Sequence, residues 1–212
     1  MEKQDKLKTL IGLMRQKCTQ CNKSITNFEQ TTDDTDVLIF IRTFLRESLL
    51  QIPEEIKDFC EAYYAEFKDE FNLAGIFYNE SPSTSINATV LIGDSEDDIV
   101  INNNEPRVYI IGKAKVILYG KAKCECLTDC ANIIAKEESK VVFDGGHVIA
   151  EGRSSVFGKG NVTCSGATSI SLGGGIINDN GHRNIIADGD TIVNSFTNRN
   201  MKLYGNAKLN LR

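Results

Sequence analysis

Residues 108–123 read VYIIGKAKVILYGKAK, which is one eight-residue unit written twice with small changes. Apolar residues alternate within each copy, as at Val108 and Ile110 in the first. Alternation by two is typical of a β-strand, and recurrence of a short unit is typical of strands stacked along an axis. The stretch therefore predicts a parallel β-solenoid of eight-residue units over residues 81–212.

The same period continues towards the C-terminus and sets a phase for the side chains. The first and third residues of each unit, such as Val108 and Ile110, are predicted to point into the solenoid. The phase breaks after Leu172, because thirteen residues rather than eight separate it from Ile185. We interpret this interval, LGGGIINDNGHRN, as a loop thrown out from one coil. One unit is expected to form one side of a coil, with two sides favoured over three.

The first part of the chain has helical patterns instead. Apolar residues at three- and four-residue steps predict an amphipathic helix over residues 5–28. A second helix is predicted over residues 37–51, and a third begins at Pro53, a residue that suits the first turn, and extends to Phe71. The predicted class is therefore α+β, with a small helical bundle over residues 1–80 followed by the solenoid.

Charge and composition limit the classes of protein to consider. The net charge is −5, and residues 1–80 carry all of it, with ten basic and fifteen acidic residues. The repeat half has fourteen of each, so direct binding of nucleic acid, which needs a basic face, is not expected. The apolar run Val37–Ile41 is far too short to span a membrane. The N-terminal MEKQDKLK does not resemble a secretion signal, and seven cysteines without disulfide-type spacing suit a reducing compartment, so a cytoplasmic protein is expected.

The second and fourth residues of each unit are predicted to point outwards, and in the first units they are apolar. An exposed apolar stripe of this length is not expected on a soluble monomer, so we expect something to cover it. The protein's own helices, a second copy in a homodimer and a foreign protein partner are the three alternatives. Lysines at the neighbouring turns add positive charge that would steer an anionic partner. The candidate partner-binding residues are Tyr109, Ile111, Ile117, Tyr119, Val141 and Phe143, with Lys113 and Lys121.

Two groups of residues have compositions that occur in metal or catalytic sites. Cys18 and Cys21 form a C-x-x-C pair, but both continue the apolar face of the first helix, so a core position is favoured over a metal site. His182 lies in the predicted loop near three acids whose carboxylates suit a metal or acid–base site. Those acids are Asp179, Asp188 and Asp190. The sequence contains no nucleophile–base pair, metal signature or cofactor fingerprint, so no enzyme, metal or cofactor is predicted.

Three units share a G-K-A-K or G-N-A-K signature, at Gly112–Lys115, Gly120–Lys123 and Gly205–Lys208. In this signature the chain resembles uncharacterised bacterial and prophage proteins built of G-N-A-x-V-x-A-Y octads. The segment EFNLAGIFYNE, Glu70–Glu80, is similar to the lead-in found before such arrays. The resemblance implies a parallel β-helix and, because many such genes lie in mobile elements, a role against or upon host machinery. In period alone, the chain is similar to bactofilin-like polymers.

Three hypotheses for function follow. The first is a non-enzymatic interaction protein that binds a protein partner through the outer face of the solenoid, as a mobile-element-encoded inhibitor of a host or defence nucleoprotein complex. The second is a structural protein that self-associates through exposed strand edges, as a homodimer or a bactofilin-like scaffold. The third, and least favoured, is a hydrolase that uses the loop within residues 173–190.

Overall fold

The computed structural model describes the chain over residues 3–20, 36–82, 89–94, 97–102, 107–128 and 132–212. The chain divides into two compact units, Met1–Tyr78 and Asn79–Arg212, against the predicted division after residue 80. The first unit is mainly helical and the second consists of strands and turns, so the predicted α+β class is confirmed. None of the helices in the described part is long and apolar enough to cross a membrane.

The helical unit contains helices where the sequence predicts them. The Asp36 carboxylate caps the second helical run by accepting the Leu38 and Ile39 N–H groups, at 2.9 and 3.2 Å. Residues 21–28 of the predicted first helix lie outside the described residues. The segments are α1 (Lys3–Gln20), α2 (Val37–Ile39), a π-helical segment (Phe40–Leu45), α3 (Arg46–Gln51), α4 (Pro53–Tyr64), α5 (Lys68–Leu73) and the strand β1 (Ile76–Tyr78).

The prediction of one continuous helix from Pro53 to Phe71 is wrong. Phe67 leaves the helical conformation, with φ −113° and ψ 30°, and its ring is fully buried. Phe71, one turn further on, is also fully buried, and its ring meets that of Tyr64 edge to face at 5.4 Å. The interruption therefore allows both the Phe67 and the Phe71 ring to enter the core of this unit. A continuous helix would place the two rings differently.

The second unit is a parallel β-solenoid of about seven turns. The chain runs along one column of strands, turns, and returns along a second column. The strands are β2 (Thr89–Ile92), β3 (Asp98–Ile101), β4 (Val108–Ile111), β5 (Lys115–Leu118), β6 (Lys123–Cys126), β7 (Asn132–Ala135), β8 (Lys140–Ala150), β9 (Ser155–Cys164), β10 (Ser169–Asp179), β11 (Asn184–Ala187), β12 (Ile192–Ser195), β13 (Met201–Leu203) and β14 (Lys208–Leu211). Column one contains β2, β4, β6, β8, β9, β10, β11 and β13, and column two contains β3, β5, β7, β8, β9, β10, β12 and β14. The three longest strands, β8, β9 and β10, extend through both columns.

The register between paired strands shows that one coil contains two units. Val108 lies beside Cys124, sixteen residues later. Coil length varies around this value, from nineteen residues between Thr89 and Val108 to fourteen between His147 and Asn161. The two-sided coil that the sequence favours is therefore confirmed.

The predicted phase holds as far as Cys126 and then reverses. The coil from Val116 to Ile133 has seventeen residues, one more than two units, so the inward positions move by one residue. Ile133, predicted to point outwards, is 2% exposed, and Val142, predicted to point inwards, is 48% exposed. The side of every residue in β7 and in the first half of β8 is consequently the opposite of the predicted one.

The predicted loop after Leu172 is also wrong. The chain continues as strand β10 to Asp179, and its register against β9 shifts between Leu172 and Gly175. Three residue steps on β10 face two on β9 across this interval, so the shift is a β-bulge with one extra residue. Ile177 and Asp179 lie beyond it at inward positions and are buried.

Inward side chains form four ladders, two in each column, that run from coil to coil. Three ladders are apolar throughout the C-terminal coils, whereas the fourth contains an aspartate and a serine. The ladders are Val156–Ile170–Ile185–Met201, Gly158–Leu172–Ala187–Leu203, Val162–Ile177–Val193–Leu209 and Cys164–Asp179–Ser195–Leu211.

Candidate functional site

Three of the six apolar residues predicted to bind a partner reach the surface. Tyr109 lies in column one, whereas Ile117 and Tyr119 belong to column two, so they do not form one continuous stripe. All three are half-buried. Cations lie over both tyrosine rings, with the Arg107 guanidinium carbon 5.8 Å from the centre of Tyr109 and the Lys136 Nζ 5.4 Å from that of Tyr119.

The prediction of a surface position is wrong for the other three residues. Val141 has no exposed surface and Phe143 is 3% exposed, because the phase reversal turns both into the solenoid. Ile111 is fully buried as well. Ile111 is the last residue of β4, and Gly112 follows it with a φ of +91° that turns the chain. The alternation of inward and outward side chains therefore does not extend to Ile111.

The outward side chains of column two form an apolar ladder, although the octad phase predicts that one of them, Ile134, points inwards. Val100, Ile117, Ile134 and Ile149 lie side by side in the register of four successive strands. Each is half-buried. This ladder, rather than the predicted stripe, is the continuous apolar surface of the first coils.

The same outward ladder becomes polar in the C-terminal coils, where it contains three stacked asparagines. Asn194 Nδ2 donates to Asn178 Oδ1 at 3.1 Å, and Asn210 Nδ2 donates to Asn194 Oδ1 at 3.0 Å. All donors point the same way along the axis. No donor among the described residues reaches Asn210 Oδ1, so the last asparagine presents an open acceptor.

The two lysines of the predicted partner surface are exposed turn residues. Lys121 Nζ lies 3.9 Å from a Glu138 carboxylate oxygen, and the nearby Lys115 Nζ lies 2.6 Å from Asp98 Oδ1. Lys113 has its backbone N–H bonded to the Asp94 carboxylate. Acidic neighbours therefore offset much of the positive charge that the sequence places at these turns.

A polar cluster interrupts the fourth inward ladder near its C-terminal end. Asp179 is 2% exposed, and its carboxylate accepts the Gly181 N–H at 2.9 Å and faces His182 Nδ1 at 2.8 Å. The Ser195 hydroxyl and the Cys164 thiol, the latter at 3.5 Å, also donate to it. Because Cys164, Asp179 and Ser195 belong to three successive coils, one buried carboxylate connects all three.

Both ring nitrogens of His182 face acceptors. Nδ1 faces the Asp179 carboxylate, and Nε2 lies 2.7 Å from the Arg199 carbonyl oxygen. The Ser195 hydroxyl bonds to the carboxylate and not to the imidazole, so the serine–histidine order of a hydrolase triad is not formed here. These contacts connect neighbouring coils through the Asp179 carboxylate and the His182 ring.

The cysteines of the described part behave as core residues. Burial, followed by the negative charge of Asp179, raises the pKa of the Cys164 thiol to about 12, so this thiol stays protonated and donates. Burial likewise raises the pKa of Cys124 well above its usual range. Cys60, Cys124, Cys126 and Cys164 are all free and buried. The side chains of Cys18 and Cys21 lie outside the described residues.

The other acids predicted near His182 are not brought to it. The Asp188 carboxylate accepts the Gly189 N–H at 2.7 Å, and Asp190 accepts from the Asn206 amide at 3.2 Å. In the described ranges, no three or more metal-binding side chains converge on one point. A pocket of about 440 Å³ lies beside His182 and is lined in part by Phe196 and Arg199.

The coil formed by β13 and β14 exposes residues of the inward ladders. Leu203 is 39% exposed and Leu211 is 63% exposed, and Met201 and Leu209 are half-buried. The residues directly beside them in the preceding coil are buried, namely Ile185, Ala187, Val193 and Ser195. Among the described strands, β13 pairs only with β11 and β14 only with β12, so each has a free edge. This coil therefore presents a complete cross-section of the core.

Comparison of the chain with protein-family models, with curated proteins and with solved structures gave no match. The solenoid that the octad resemblance implies is present. The prophage source that it implies stays a prediction. The described solenoid has two distinctive apolar surfaces, the exposed core-type residues of the C-terminal coil and the outward ladder of column two.

Proposed function

We propose that this protein is a non-enzymatic interaction protein that self-associates through the end of its solenoid. The observation that supports this most directly is the exposure of core-type residues on the coil of β13 and β14. Of eleven large apolar side chains that are exposed in the described part, five lie within residues 192–211. Such a concentration on one end is a feature of interaction sites rather than of ordinary surface.

Burial of this end would be favourable. Complete burial of one leucine side chain contributes about 1.5–3 kcal/mol, and the end carries three leucines and a methionine at ladder positions. Free strand edges add unpaired N–H and C=O groups that another strand can satisfy. A repeat protein whose end is joined in this way functions as a scaffold, since its length and its surfaces are then multiplied.

Sedimentation velocity over a concentration series tests this function. We expect wild type to shift from monomer to a larger species between about 1 and about 100 µM, the range in which interfaces of modest size associate. Phe157→Asp is the control and should leave this shift unchanged. Phe157 is 45% exposed, similar to Leu203 at 39%, but it lies in the middle of the solenoid and not at its end. A wild-type protein that stays monomeric throughout would contradict the proposal.

A second candidate function is binding of a foreign protein through the outward apolar ladder of Val100, Ile117, Ile134 and Ile149. In this function, the ladder would bind a host or defence complex and inhibit it. We expect wild type to retain one specific host protein in a nuclease-treated pull-down, and Ile117→Glu/Ile134→Glu to lose it while remaining folded. Equal retention by both proteins would refute the role of this ladder.

The proposed compartment is the cytoplasm. The four free, buried thiols of the described part support it, because reduced cysteines without disulfide partners are typical of a reducing environment.

A further inference from the structure

We propose that the outer face of column one, in the middle of the solenoid, binds to an anionic lipid surface. The contact consists of two exposed apolar side chains, Val142 and Phe157, and of two lysines beside them, Lys123 and Lys140. In column one, β10 and β11 separate this face from the coil of β13 and β14, so lipid binding does not require the proposed self-association.

The apolar centre of this face consists of Val142 on β8 and Phe157 on β9. The two residues lie side by side in the register of these strands. Val142 is 48% exposed and Phe157 is 45% exposed, so both side chains project from the sheet into solvent. Their burial against a partner would remove a continuous apolar area from water, which favours a partner with an apolar interior.

Two lysines lie on one side of this apolar pair. Lys123 on β6 and Lys140 on β8 are adjacent in the register, and both are exposed. Neighbouring strands are about 4.8 Å apart, so two like charges project from adjacent positions, an arrangement that is unfavourable without an anion. In the part of the chain that the structure describes, neither lysine forms an ion pair.

Two further cations extend the positive charge along and across this face. Arg107 directly precedes β4, and the register of β4 with β6 places it next to Lys123. Lys159 follows Phe157 by two residues on β9, lies on the other side of the apolar pair and is exposed. Cations therefore lie on both sides of Val142 and Phe157.

The outward positions of β4, β6, β8 and β9 in column one, together with Arg107, carry a net charge of +2. They hold the four cations named above and two acids, Glu125 and Asp144. Residues 81–212 as a whole are neutral, so the fold concentrates positive charge on this face. The outer face of column two differs over the same coils, since its Lys115 is paired with Asp98.

An apolar centre between cations favours a lipid surface over other polyanions. Outward side chains of neighbouring strands stand on one face of a sheet, so they can meet a planar surface together. Acyl chains accept Val142 as readily as Phe157, whereas a single-stranded nucleic acid needs aromatic rings on which its bases stack. Anionic headgroups then attract the lysines, each of which strengthens binding by about fivefold.

Co-sedimentation with vesicles tests this binding. Vesicles of phosphatidylcholine alone are compared with vesicles that also contain phosphatidylglycerol, at about 0.1 M and about 1 M salt. We expect wild type to sediment only with the vesicles that contain phosphatidylglycerol and to be released at the higher salt, which screens the headgroup charge. Equal binding to both kinds of vesicle, or binding to neither, would overturn the proposal.

Lys123→Gln/Lys140→Gln should lower the partition coefficient for the anionic vesicles by about 25-fold, because two contributions of about fivefold are lost. The matched control is Lys115→Gln/Lys208→Gln, which removes the same charge from strands of column two and should leave binding nearly unchanged. An equal loss in both variants would mean that net charge, and not this face, determines binding, which contradicts the proposal.

Phe157→Ser tests the apolar centre and should lower the same partition coefficient by about tenfold. Ile176→Ser is its control, because Ile176 is 38% exposed but belongs to column two. All these residues are on the surface, so every variant should keep the circular dichroism spectrum of wild type. If Phe157→Ser binds like wild type, the apolar centre does not enter the lipid and the proposed contact is wrong.

A single-stranded oligonucleotide provides the competing partner. We expect it to leave wild type on the anionic vesicles. If it binds wild type, is lost by Lys123→Gln/Lys140→Gln and releases the protein from vesicles, this face is a nucleic-acid site and the lipid proposal fails. None of the four substitutions above that lie in column one is in β13 or β14, so such a failure leaves the sedimentation test of self-association unaffected.

Discussion

Val141→Asp should lower the free energy of unfolding by about 5 kcal/mol, enough to unfold a protein of ordinary stability, whereas Val142→Asp should cost no more than about 1 kcal/mol. Val141 has no exposed surface, so an aspartate there places an unpaired carboxylate between coils and loses the contacts of the valine. Val142 is 48% exposed, so an aspartate there keeps its water. Its small cost comes from Glu125, the residue beside it in the register.

Urea denaturation followed by far-ultraviolet circular dichroism measures both variants. The same substitution at adjacent positions changes charge and composition equally, so the difference between the two isolates the side of the strand on which each residue lies. A larger loss for Val142→Asp than for Val141→Asp would mean that the octad phase continues unbroken, as the sequence alone predicts, and that Val141 belongs to the outer surface.

The architecture of the second unit could be predicted because its signal repeats. Two nearly identical octads at residues 108–123 define a period, and each later unit adds an independent observation of it. Stacking of equivalent positions such as Val108 and Cys124 follows directly from that period. The helices of the first unit could be placed for a similar reason, since their apolar spacing extends over several turns, but the break at Phe67 depends on aromatic packing that spacing does not record.

The phase reversal could not be predicted, because the residues involved satisfy either phase. Ile133 and Ile134 are both apolar, and so are Val141 and Val142, so each strand has an apolar residue for the core whichever side faces inwards. The deciding quantity is the length of one coil, seventeen residues instead of sixteen. Local pattern does not contain this quantity, which depends on how the turn between two strands is built.

The Asp179 cluster was hidden for a different reason. An aspartate that follows GGGIIN has the composition of a loop, and buried carboxylates are rare unless donors surround them. The donors come from the turn after β10 and from neighbouring coils, at Gly181, His182, Ser195 and Cys164. Only the stacking of coils brings Ser195 and Cys164 to the carboxylate. The hydrogen bonds that offset the burial of Asp179 are therefore visible in the fold and not in the sequence of the segment itself.

Gly175→Ala should be the most damaging substitution available within the run Gly173–Gly175, with a loss of about 3 kcal/mol or more. Gly175 has φ +108°, a conformation that residues with a side chain rarely adopt. A Cβ at this position would overlap the Gly160 carbonyl oxygen and lie 2.6 Å from the carbonyl carbon of the same residue. Both atoms belong to the backbone of the neighbouring strand, so the coil would have to move to admit a methyl group.

Gly174→Ala is the matched control, because a Cβ there meets only the Lys159 Cγ, at 4.0 Å, and its φ is not in the left-handed range. We expect this variant to equal wild type or to gain up to about 1 kcal/mol, since alanine restricts the unfolded chain. Thermal unfolding of the two variants beside wild type gives the comparison. Equal melting temperatures would mean that the bulge between Leu172 and Gly175 is not formed as described. Asp179 would then lose the inward position beyond the bulge, and with it the contacts to Cys164 and Ser195 that connect three successive coils.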